Sequence, residues 1–572
     1  MRTFSKLSRV VWTVRYLKAR QIAGQVHHRV VRSFERYENA NAETMEAYPG
    51  CAWPNGVRFL PPGAQNNRAD AIRQGILEFL HSPMKGGFPP RWDCPEASRL
   101  WRYNLHYFEW LWALDYEDAR TVALDWIRNH PLAKDAVGWE SYPISLRLMN
   151  WCGVFWGRFR DQTETDPSFL GMLWRSICQQ AGWLMRHLET HLLGNHYLEN
   201  GAALALVGSC FFGARARRWF GKGYNVLQDQ VAEQILPDGM HFELSPMYHC
   251  RVIYVLAMLV ATGHDRLRDL AEDPLARMLK ALDLLCHPDG AIALLNDSAL
   301  GISNEPDGLR SYGRHLLKNG PDRIGAGTGC FALDCAGYYG WRGSDGSYVI
   351  ADFARVGPDH IPGHGHADIF GFELSLGGYR VVTDSGVHDY ESSATRHYCR
   401  STAAHNTVEI DGCDQGELWG AFRMARRGYP RDVSWQPRET GFTLSGWHDG
   451  YRRLPGQPVP FRHMQWDSAG GLIVCDRIQA RRPVRCVSRL HLHPMCQVDD
   501  SGQRVVRVSY PGGRFRVEAD TDIQIKETPY FAGFYEVQPR PCLCLDGRGD
   551  CIELRYRIRM ERVGERMSTT ES

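Results

Sequence analysis

The sequence predicts an α+β protein in which an α/α array of helices precedes a large antiparallel β-sandwich. Three observations predict this fold class. The chain has 572 residues, which is more than one ordinary hydrophobic core accommodates, so two or three domains are expected. From about residue 70 to residue 320 the apolar residues recur with the period of a helix. After about residue 330 they alternate with the period of a strand.

The helical pattern is clearest between Asp166 and Leu193. Its apolar residues form one stripe along a helix, as expected for a helix that packs on a core. The stripe consists of Leu170, Leu173, Trp174, Ile177, Ala181, Leu184 and Leu188. "RVIYVLAMLVATG" and "DPLARMLKALDLLCHPDG" follow the same pattern, and each ends at a glycine. Helices of this length without strands between them favour an α/α array, and the lack of a fixed repeat disfavours a tight solenoid.

The second half consists of short alternating segments. "GSYVIADFARVG", "FGFELSLGGYRVVTDSG", "HNTVEIDG" and "RVVRVSYPGGRFRVEAD" alternate apolar and polar residues, with Gly-, Pro- and Asp-rich turns between such segments. This pattern is typical of antiparallel sheets, hence of a β-sandwich. A helical half followed by a sandwich leaves a long groove between them, which suits a polymeric ligand.

We expect three regions along the chain. They are a basic N-terminal helical segment at 1–60, a helical catalytic domain at 61–325 and an antiparallel sandwich at 326–572. The change of period places the join of the two large domains in "GPDRIGAGTGC", which runs from Gly320 to Cys330.

The first 34 residues form a basic segment with eight lysines or arginines and no acidic residue. We favour a helix that caps the first domain, and the alternative is a basic amphipathic helix on a membrane surface or beside an acidic polymer. The segment lacks the apolar core of a signal peptide, and no run elsewhere is long enough to span a bilayer. We therefore expect no transmembrane segment, a cytoplasmic or non-classical location, and at most peripheral membrane contact.

Composition argues against several classes of protein. The net charge is only +2, so we expect no nucleic-acid partner. Seventeen cysteines without a framework spacing argue against a disulfide scaffold, and we expect most of them to be reduced and buried. The 18 tryptophans and 24 tyrosines are assigned mainly to large cores. Nothing in the composition indicates an oligomeric state.

Two polar clusters lie in the helical half. "GNHYLENG" brings Asn195, His196 and Glu199 within about one helical turn. "DGMHFELSPMYH" contributes His241 and Tyr248. Each cluster alone is also typical of ordinary structure, a helix C-cap with Asn in the first case and hydrogen-bonded core residues in the second.

A third cluster opens one of the alternating segments. In "PGHGHADIFGFELSLGGYRVVTDSG", His364 and His366 are flanked by glycines, and Asp384 ends the next strand. His405 starts another strand in "RSTAAHNTVEIDG". Glycine is rare inside a strand unless a backbone or ligand comes close, so the stretch indicates a site. Two histidines and an aspartate from neighbouring strands form a zinc-like set, although each histidine alone is also typical of a polar turn.

Five motifs in this order resemble the heparinase II/III-like polysaccharide lyases. They are "GNHYLENG", "HFELSPMYH", "GPDHIPGHGHAD", "VVTDSG" and "RSTAAHNTVEIDG". "LWRYNLHYFEW" and "SYPISLRLMNW" are similar to upstream helical motifs of that family, so the resemblance covers the chain from about residue 90 onward. It implies an (α/α) toroid of helical hairpins followed by a β-sandwich. It also implies cleavage of a glycosidic bond beside a uronic acid by β-elimination.

The resemblance further implies catalytic roles for four residues. Asn195 matches the donor to the uronate carboxylate. Tyr248 matches the tyrosine that protonates the leaving oxygen, and that with some epimers also acts as base. His196 matches an alternative base or carboxylate partner, and His364 matches a sandwich-side histidine that reaches into the cleft. These residue types suit a reaction that needs a neutralised carboxylate, a base for the C5 proton and an acid for O4.

Other residues are expected to bind substrate or metal. The substrate-binding candidates are Asn104, His106, Arg147, Glu199 and His241, and Glu199 is also expected to orient His196. His366, Asp384 and His405 match the metal ligands of the family. The resemblance implies one structural divalent ion, with zinc favoured, and we expect no organic cofactor. Because both histidines of "GHGH" would share a face on a regular strand, we expect a distorted backbone between them.

We predict a lyase for a uronate-containing anionic polysaccharide, which would be a glycosaminoglycan, alginate or an exopolysaccharide, with 4,5-unsaturated uronate ends as products. The alternative is a non-catalytic or biosynthesis-associated exopolysaccharide-binding protein on the same scaffold, which the missing signal peptide favours. A zinc hydrolase ranks last because no HExxH-like motif accompanies the His/Asp set. Epimer or sulfate preference and endo or exo action stay open.

Overall fold

The computed structural model describes residues 2–34, 47–63, 67–133, 135–317 and 327–561. Within these ranges the long helices precede the large antiparallel sheets, so the predicted fold class is confirmed. Most of the predicted join between Gly320 and Cys330 falls on 318–326, which lie outside the described residues. The limits of the three predicted regions therefore stay predictions.

The helices lie mainly in the first 316 residues. Within the described ranges, α1 to α14 span Arg2–Arg15, Ala19–Phe34, Ala69–Arg73, Arg99–Tyr107, Tyr116–Asn129, Ser141–Cys152, Arg160–Glu164, Pro167–Arg186, Gly194–Cys210, Ala214–Gln234, Pro246–Ala261, Asp265–Leu285, Pro306–Leu316 and Ala394–Arg400. In α8, Asp166 caps the N-terminus by accepting from the Phe169 N–H, and the predicted stripe is buried from Leu170 to Leu184. None of the helices in the described part of the chain is both long and apolar enough to cross a membrane.

The strands pair antiparallel. In chain order, β1 to β19 span Ile76–Phe79, Ser82–Lys85, Gly329–Leu333, Tyr338–Arg342, Tyr348–Asp352, Phe372–Leu376, Tyr379–Val382, Val408–Ile410, Leu418–Trp419, Arg423–Met424, Pro430–Arg438, Gly441–His448, Val459–Asp467, Gly471–His491, Gln497–Ser501, Val505–Tyr510, Gly513–Ala519, Ile523–Tyr530 and Gln538–Met560. One sheet has the order β3-β4-β5-β6-β7. The other has the order β11-β12-β13-β14-β19-β17-β16-β15, with β8 and β18 paired to its long central strands.

The five-stranded sheet is the middle layer of the molecule. Along β5, Val349 and Ala351 belong to the core between the two sheets. Their neighbours Tyr348 and Ile350 point the other way and join a core that includes Leu285 of α12. The sheet therefore connects the helices to the rest of the sandwich, and loops at its edge can reach the helical domain.

Candidate functional site

The first turn of α9 is tied to a buried glutamate. Gly194 begins the helix at a φ of 59°, and an added Cβ there would lie 2.6 Å from Glu243 Oε1, so only glycine fits. The next N–H, that of Asn195, donates to the same Oε1 atom at 3.0 Å. "GNHYLENG" therefore starts a helix and does not form the C-cap considered from sequence.

The side chain of Asn195 is held only loosely. Its Nδ2 lies 3.4 Å from Tyr142 Oη and 3.5 Å from Glu199 Oε1, both at the long limit of a hydrogen bond. Glu199 is fully buried, accepts from Tyr142 Oη at 2.8 Å and pairs with Arg251 Nη2 at 2.8 Å. The amide of Asn195 is thus surrounded by groups that already have stronger partners, and it can turn toward another acceptor.

His196 is oriented by Glu189, not by Glu199 as predicted. Its Nδ1 lies 3.1 Å from Glu189 Oε1, and its ring stacks on Tyr142 at a centroid distance of 4.1 Å. Burial alone would lower the pKa of His196, but the neighbouring Glu189 carboxylate outweighs it, so the pKa is raised. The surroundings therefore favour the cationic ring.

Tyr248 and His364 are in ring contact across the two halves of the protein. Tyr248 lies in the first turn of α11, where its N–H donates to the capping Ser245 Oγ at 3.3 Å. The centroids of the Tyr248 and His364 rings are 3.8 Å apart, and the Oη atoms of Tyr248 and Tyr390 are 3.2 Å apart. Burial raises the pKa of Tyr248 well above its usual range, so its hydroxyl keeps its proton.

Both ring nitrogens of His364 face carboxylates. Nδ1 lies 2.9 Å from Asp297 Oδ2, and Nε2 lies 3.5 Å from Glu243 Oε2. Asp297 also pairs with both terminal nitrogens of Arg396 and with His366 Nε2. Burial would raise the pKa of Asp297, but Arg396 and the two histidines hold it well below its usual range. Asp297 is therefore a carboxylate, and it orients the His364 ring.

Glu243 links the two pairs of residues. One carboxylate oxygen accepts from the Asn195 N–H and the other lies 3.5 Å from His364 Nε2. Since His196 follows Asn195 and Tyr248 packs on His364, the four residues predicted to be catalytic meet at one place between the helices and the sandwich.

A cavity opens beside His196, with an empty volume of about 820 Å³. Its lining carries basic and imidazole groups together with carboxylates: His28, Arg99, His187 and His191 alongside Asp135, Glu140 and Glu189. Trp139, Trp183 and Tyr103 add aromatic surface. Such a mixture of aromatic faces and hydrogen-bonding groups suits a sugar chain.

A second cluster has the composition of a metal site. His366, Asp368 and His405 each offer a ligand atom, and these atoms lie within 4.8 Å of one another. His366 Nδ1, Asp368 Oδ2 and His405 Nε2 are buried and have no hydrogen-bond partner among the described residues. Buried polar atoms without a partner are costly, and two imidazole nitrogens with a carboxylate oxygen are donors that zinc accepts. The residues therefore fit a divalent ion.

This cluster differs from the predicted ligand set in one member. Asp368 takes the place expected for Asp384, whose Oδ2 lies instead 2.7 Å from His405 Nδ1. A carboxylate in that position fixes the ring and turns its other nitrogen, Nε2, toward the cluster. Asp297 does the same for His366, with Oδ1 2.8 Å from His366 Nε2.

The "GHGH" backbone is a loop that precedes the strand β6, in line with the expected distortion. A Cβ at Gly365 would lie 2.0 Å from the carbonyl oxygen of Val356, so the close approach requires glycine. His364 is directed to Tyr248, and the His366 ring lies 5.2 Å from that of His405. The loop thus sends neighbouring histidines to two different sites.

Two predicted substrate contacts lie in the helical core instead. Arg147 is fully buried, with Nε donating to Gln180 at 2.8 Å and Nη2 to the Gly138 carbonyl at 2.8 Å. Its guanidinium carbon is 4.0 Å from the ring centroid of Trp126, whose Nε1 donates to His106 Nδ1 at 3.2 Å. Both side chains use their polar atoms inside the core, so we correct their role to a structural one.

The remaining two candidates have different positions. His241 is buried, and its Nε2 lies 3.0 Å from Gln234 Oε1, while Gln234 Nε2 donates to the Gly194 carbonyl at 2.8 Å. His241 therefore supports the start of α9. Asn104 is half-buried and its Nδ2 donates to the Leu100 carbonyl of its own helix, so its substrate role stays a prediction.

Sequence reasoning missed several residues that hold the site together. They are Tyr142, Glu189, Glu243, Arg251, Asp297, Asp368, Tyr390 and Arg396. Asp368 had a usable signal, because it follows His366 by two residues in "GHGHAD". Glu243 lay inside a quoted motif without receiving a role, and the others have no spacing that connects them to the motifs.

Two protein-family models match most of the chain. Heparinase II/III N-terminus matches residues 107–318, and Heparinase II/III-like, C-terminal matches residues 326–560. Among curated proteins, a heparin-sulfate lyase of Pedobacter heparinus is 27% identical over 349 residues, which cover 54% of this chain and 52% of that protein. One of Bacteroides thetaiotaomicron is 23% identical over 389 residues, with 57% and 54% covered. The chain spans about half the length of these relatives.

Solved structures share the fold at low identity. A crystal structure of heparinase III superposes with a TM-score of 0.71 at 16% identity, covering 93% of this chain and 89% of that one. A heparan sulfate lyase mutant from Pedobacter heparinus superposes with a TM-score of 0.61 at 18% identity, covering 95% and 89%. The likeness extends over both the helices and the sheets described above.

Proposed function

The chain belongs to the heparinase II/III-like family, and from that premise we propose that it is a polysaccharide lyase. It would cleave a glycosaminoglycan beside a uronic acid by β-elimination. The observation that carries the proposal is the meeting of Asn195, His196, Tyr248 and His364 around Glu243. The printed names of the curated relatives support a glycosaminoglycan over alginate or another exopolysaccharide.

Tyr248 is the proposed acid. In β-elimination the C5–H bond breaks, its electron pair forms the C4–C5 double bond, and the C4–O bond breaks as O4 receives a proton. The raised pKa of Tyr248 suits the proton donor, since a group that keeps its proton can deliver it to a strongly basic leaving oxygen.

His364 is the proposed base. The raised pKa of Tyr248 makes it a weak base, and the raised pKa of His196 favours a ring that already carries a proton. His364 Nδ1 is directed to the Asp297 carboxylate, which leaves Nε2 toward Tyr248 and Glu243. A histidine oriented by a carboxylate is a common general base.

Asn195 and His196 would receive the uronate carboxylate. The loosely held amide of Asn195 can donate to the carboxylate as charge moves onto it from C5. The cationic ring favoured at His196 would add opposite charge on the same side. The cavity beside His196 would hold the next sugars of the chain.

A divalent ion, with zinc favoured, would be held by His366, Asp368 and His405. When bound, it would supply a fixed positive charge that cross-links the "GHGH" loop to the segment before β8. No proton transfer needs to pass through it. Its consequence for catalysis is the position of His364, two residues from His366.

A screen of uronate polymers tests the proposal. Purified protein is incubated with heparan sulfate, chondroitin sulfate, hyaluronan and alginate, and the ultraviolet absorbance of the 4,5-unsaturated uronate is followed. We expect the absorbance to rise with at least one glycosaminoglycan and less or not at all with alginate. Binding to a polymer without any rise would favour the alternative of a binding protein, and a rise with alginate alone would contradict the substrate class.

A further inference from the structure

The two N-terminal helices expose aliphatic side chains in rows. On α1, the exposed members are Leu7, Val10, Val11 and Val14, and on α2 they are Ile22, Val26 and Val30. The spacing of three and four residues places each set on one face of its helix. Val11 and Val26 are 58% and 60% exposed. Single exposed aliphatics are ordinary, but rows of them mark an interaction surface.

α1 packs on the sandwich through its polar face. Trp419 Nε1 donates to Thr13 Oγ1 at 3.1 Å, and Arg426 Nη2 donates to Ser8 Oγ at 3.0 Å. The guanidinium carbon of Arg427 lies 4.0 Å from the ring centroid of Tyr16. The helix therefore turns its hydrogen-bonding side inward and its aliphatic row outward, which is the reverse of a helix that stabilises a core.

α2 repeats this arrangement on the helical domain. Gln21 is buried, and its Nε2 donates to the His360 carbonyl at 3.1 Å. Arg20 lies 4.4 Å from the ring centroid of Tyr197. The row from Ile22 to Val30 again faces away from these contacts. The pair of helices thus spans both domains, where the sequence favoured a cap on the first alone.

The charge of the segment selects the partner. The first 34 residues carry eight of the chain's 67 lysines and arginines and none of its 65 acidic residues. The remaining residues therefore carry 59 basic and 65 acidic groups, so the excess positive charge lies in this segment. A second copy docked through the same helices would bring sixteen cations together without a carboxylate in either segment, which is unfavourable.

We propose that α1 and α2 form an interfacial docking surface for a membrane that contains anionic lipid. The aliphatic rows would enter the boundary between headgroups and acyl chains, and lysines and arginines beside them would meet the lipid phosphates. Arg15, exposed at the end of α1, is one such residue. The proposal does not depend on the lyase reaction.

Vesicle sedimentation with the full chain tests this. Vesicles of phosphatidylcholine with and without phosphatidylserine are pelleted with the wild type, Val11→Asp/Val26→Asp and Val11→Ser/Val26→Ser. Val537→Asp is the matched control, because Val537 is a 62% exposed valine on the sandwich. We expect the wild type and Val537→Asp to pellet with phosphatidylserine vesicles, less so as salt rises, and each double variant to lose about tenfold or more in partitioning.

Several results would overturn the proposal. They are a wild type that stays in the supernatant, double variants that pellet like the wild type, and equal pelleting with both lipid compositions at every salt concentration. A wild-type dimer that the double variants convert to a monomer, seen by sedimentation equilibrium without vesicle binding, would assign the surface to a second copy. Unchanged melting temperatures establish that the variants are folded, which their outward positions predict. A variant with a lowered melting temperature would place its side chain inside the protein, against the proposal.

Discussion

The rings of Tyr248 and His364 lie face to face with their centroids 3.8 Å apart, one on a helix and the other on a loop of the sandwich. The contact joins the proposed acid to the proposed base and makes the site a property of both domains. It also places the proposed metal cluster two residues from the reacting groups. The predictions below separate the roles of these neighbours.

Removing the hydroxyl of Tyr248 should stop elimination. Tyr248→Phe keeps the ring and its packing on His364, and we expect kcat to fall by about 10²–10⁴-fold while polymer binding and melting temperature change little. The matched control is Tyr390→Phe, which removes only the partner hydroxyl 3.2 Å away, and its loss should be smaller. Near-normal turnover by Tyr248→Phe would remove it from the role of acid.

Asn195 should act mainly in the transition state. Asn195→Ala removes a donor to the carboxylate at the moment it gains charge, so kcat should fall by about 10²–10³-fold with a smaller change in KM. Steady-state kinetics on one glycosaminoglycan measure both constants. A raised KM with unchanged kcat would make Asn195 a binding residue only.

The pair of His196 and Glu189 predicts a pH dependence. The pKa of His196 is raised in the folded protein, so its stabilising contribution is complete below its unfolded pKa and is lost as pH rises through the folded pKa. In Glu189→Gln, burial would dominate and lower the pKa of His196. We expect the alkaline limb of kcat/KM to move to lower pH in this variant, and an unshifted limb would show that His196 does not need its charge.

The metal cluster should be separable from catalysis. His366→Ala, His405→Ala and Asp368→Ala should each lose the metal and melt at lower temperature, because an ion bound only by the folded state stabilises it. His364→Ala should keep the metal and the melting temperature and lose elimination. Metal analysis and thermal melts on the His364 and His366 variants decide this, since equal behaviour of the two would contradict the division.

Asp368 and Asp384 should differ in the same assay. Asp368→Asn removes a ligand, whereas Asp384→Asn removes the partner of His405 and should weaken metal affinity by about 10–100-fold. If Asp384→Asn loses the metal completely and Asp368→Asn retains it, the ligand set expected from sequence is the correct one.

The sequence was sufficient for the fold because hydrophobic period reports which face of a helix or strand is buried. The stripe in α8 and the alternation in β5 are both observed. The catalytic candidates were found because "GNHYLENG" and "GHGH" combine reactive side chains with glycines that permit close backbone approach. In both motifs the glycine is required by a neighbouring atom.

Other features depend on distant contacts that no local pattern records. Arg147 has the composition of an anion contact, and only its burial beside Trp126 shows that it is structural. Asp297 orients two histidines about 70 residues away along the chain. The outward direction of Val11 and Val26 is likewise set by tertiary packing, because an amphipathic period does not say which face meets the protein.

The mass of the products tests the central claim most directly. A defined glycosaminoglycan oligosaccharide is cleaved, and the fragments are weighed by mass spectrometry in parallel with Tyr248→Phe. β-Elimination adds no water, so we predict that the two fragment masses sum to that of the substrate, with the unsaturated uronate on one fragment, and that Tyr248→Phe yields none. Fragments whose masses sum to the substrate plus one water would show hydrolysis and contradict the account.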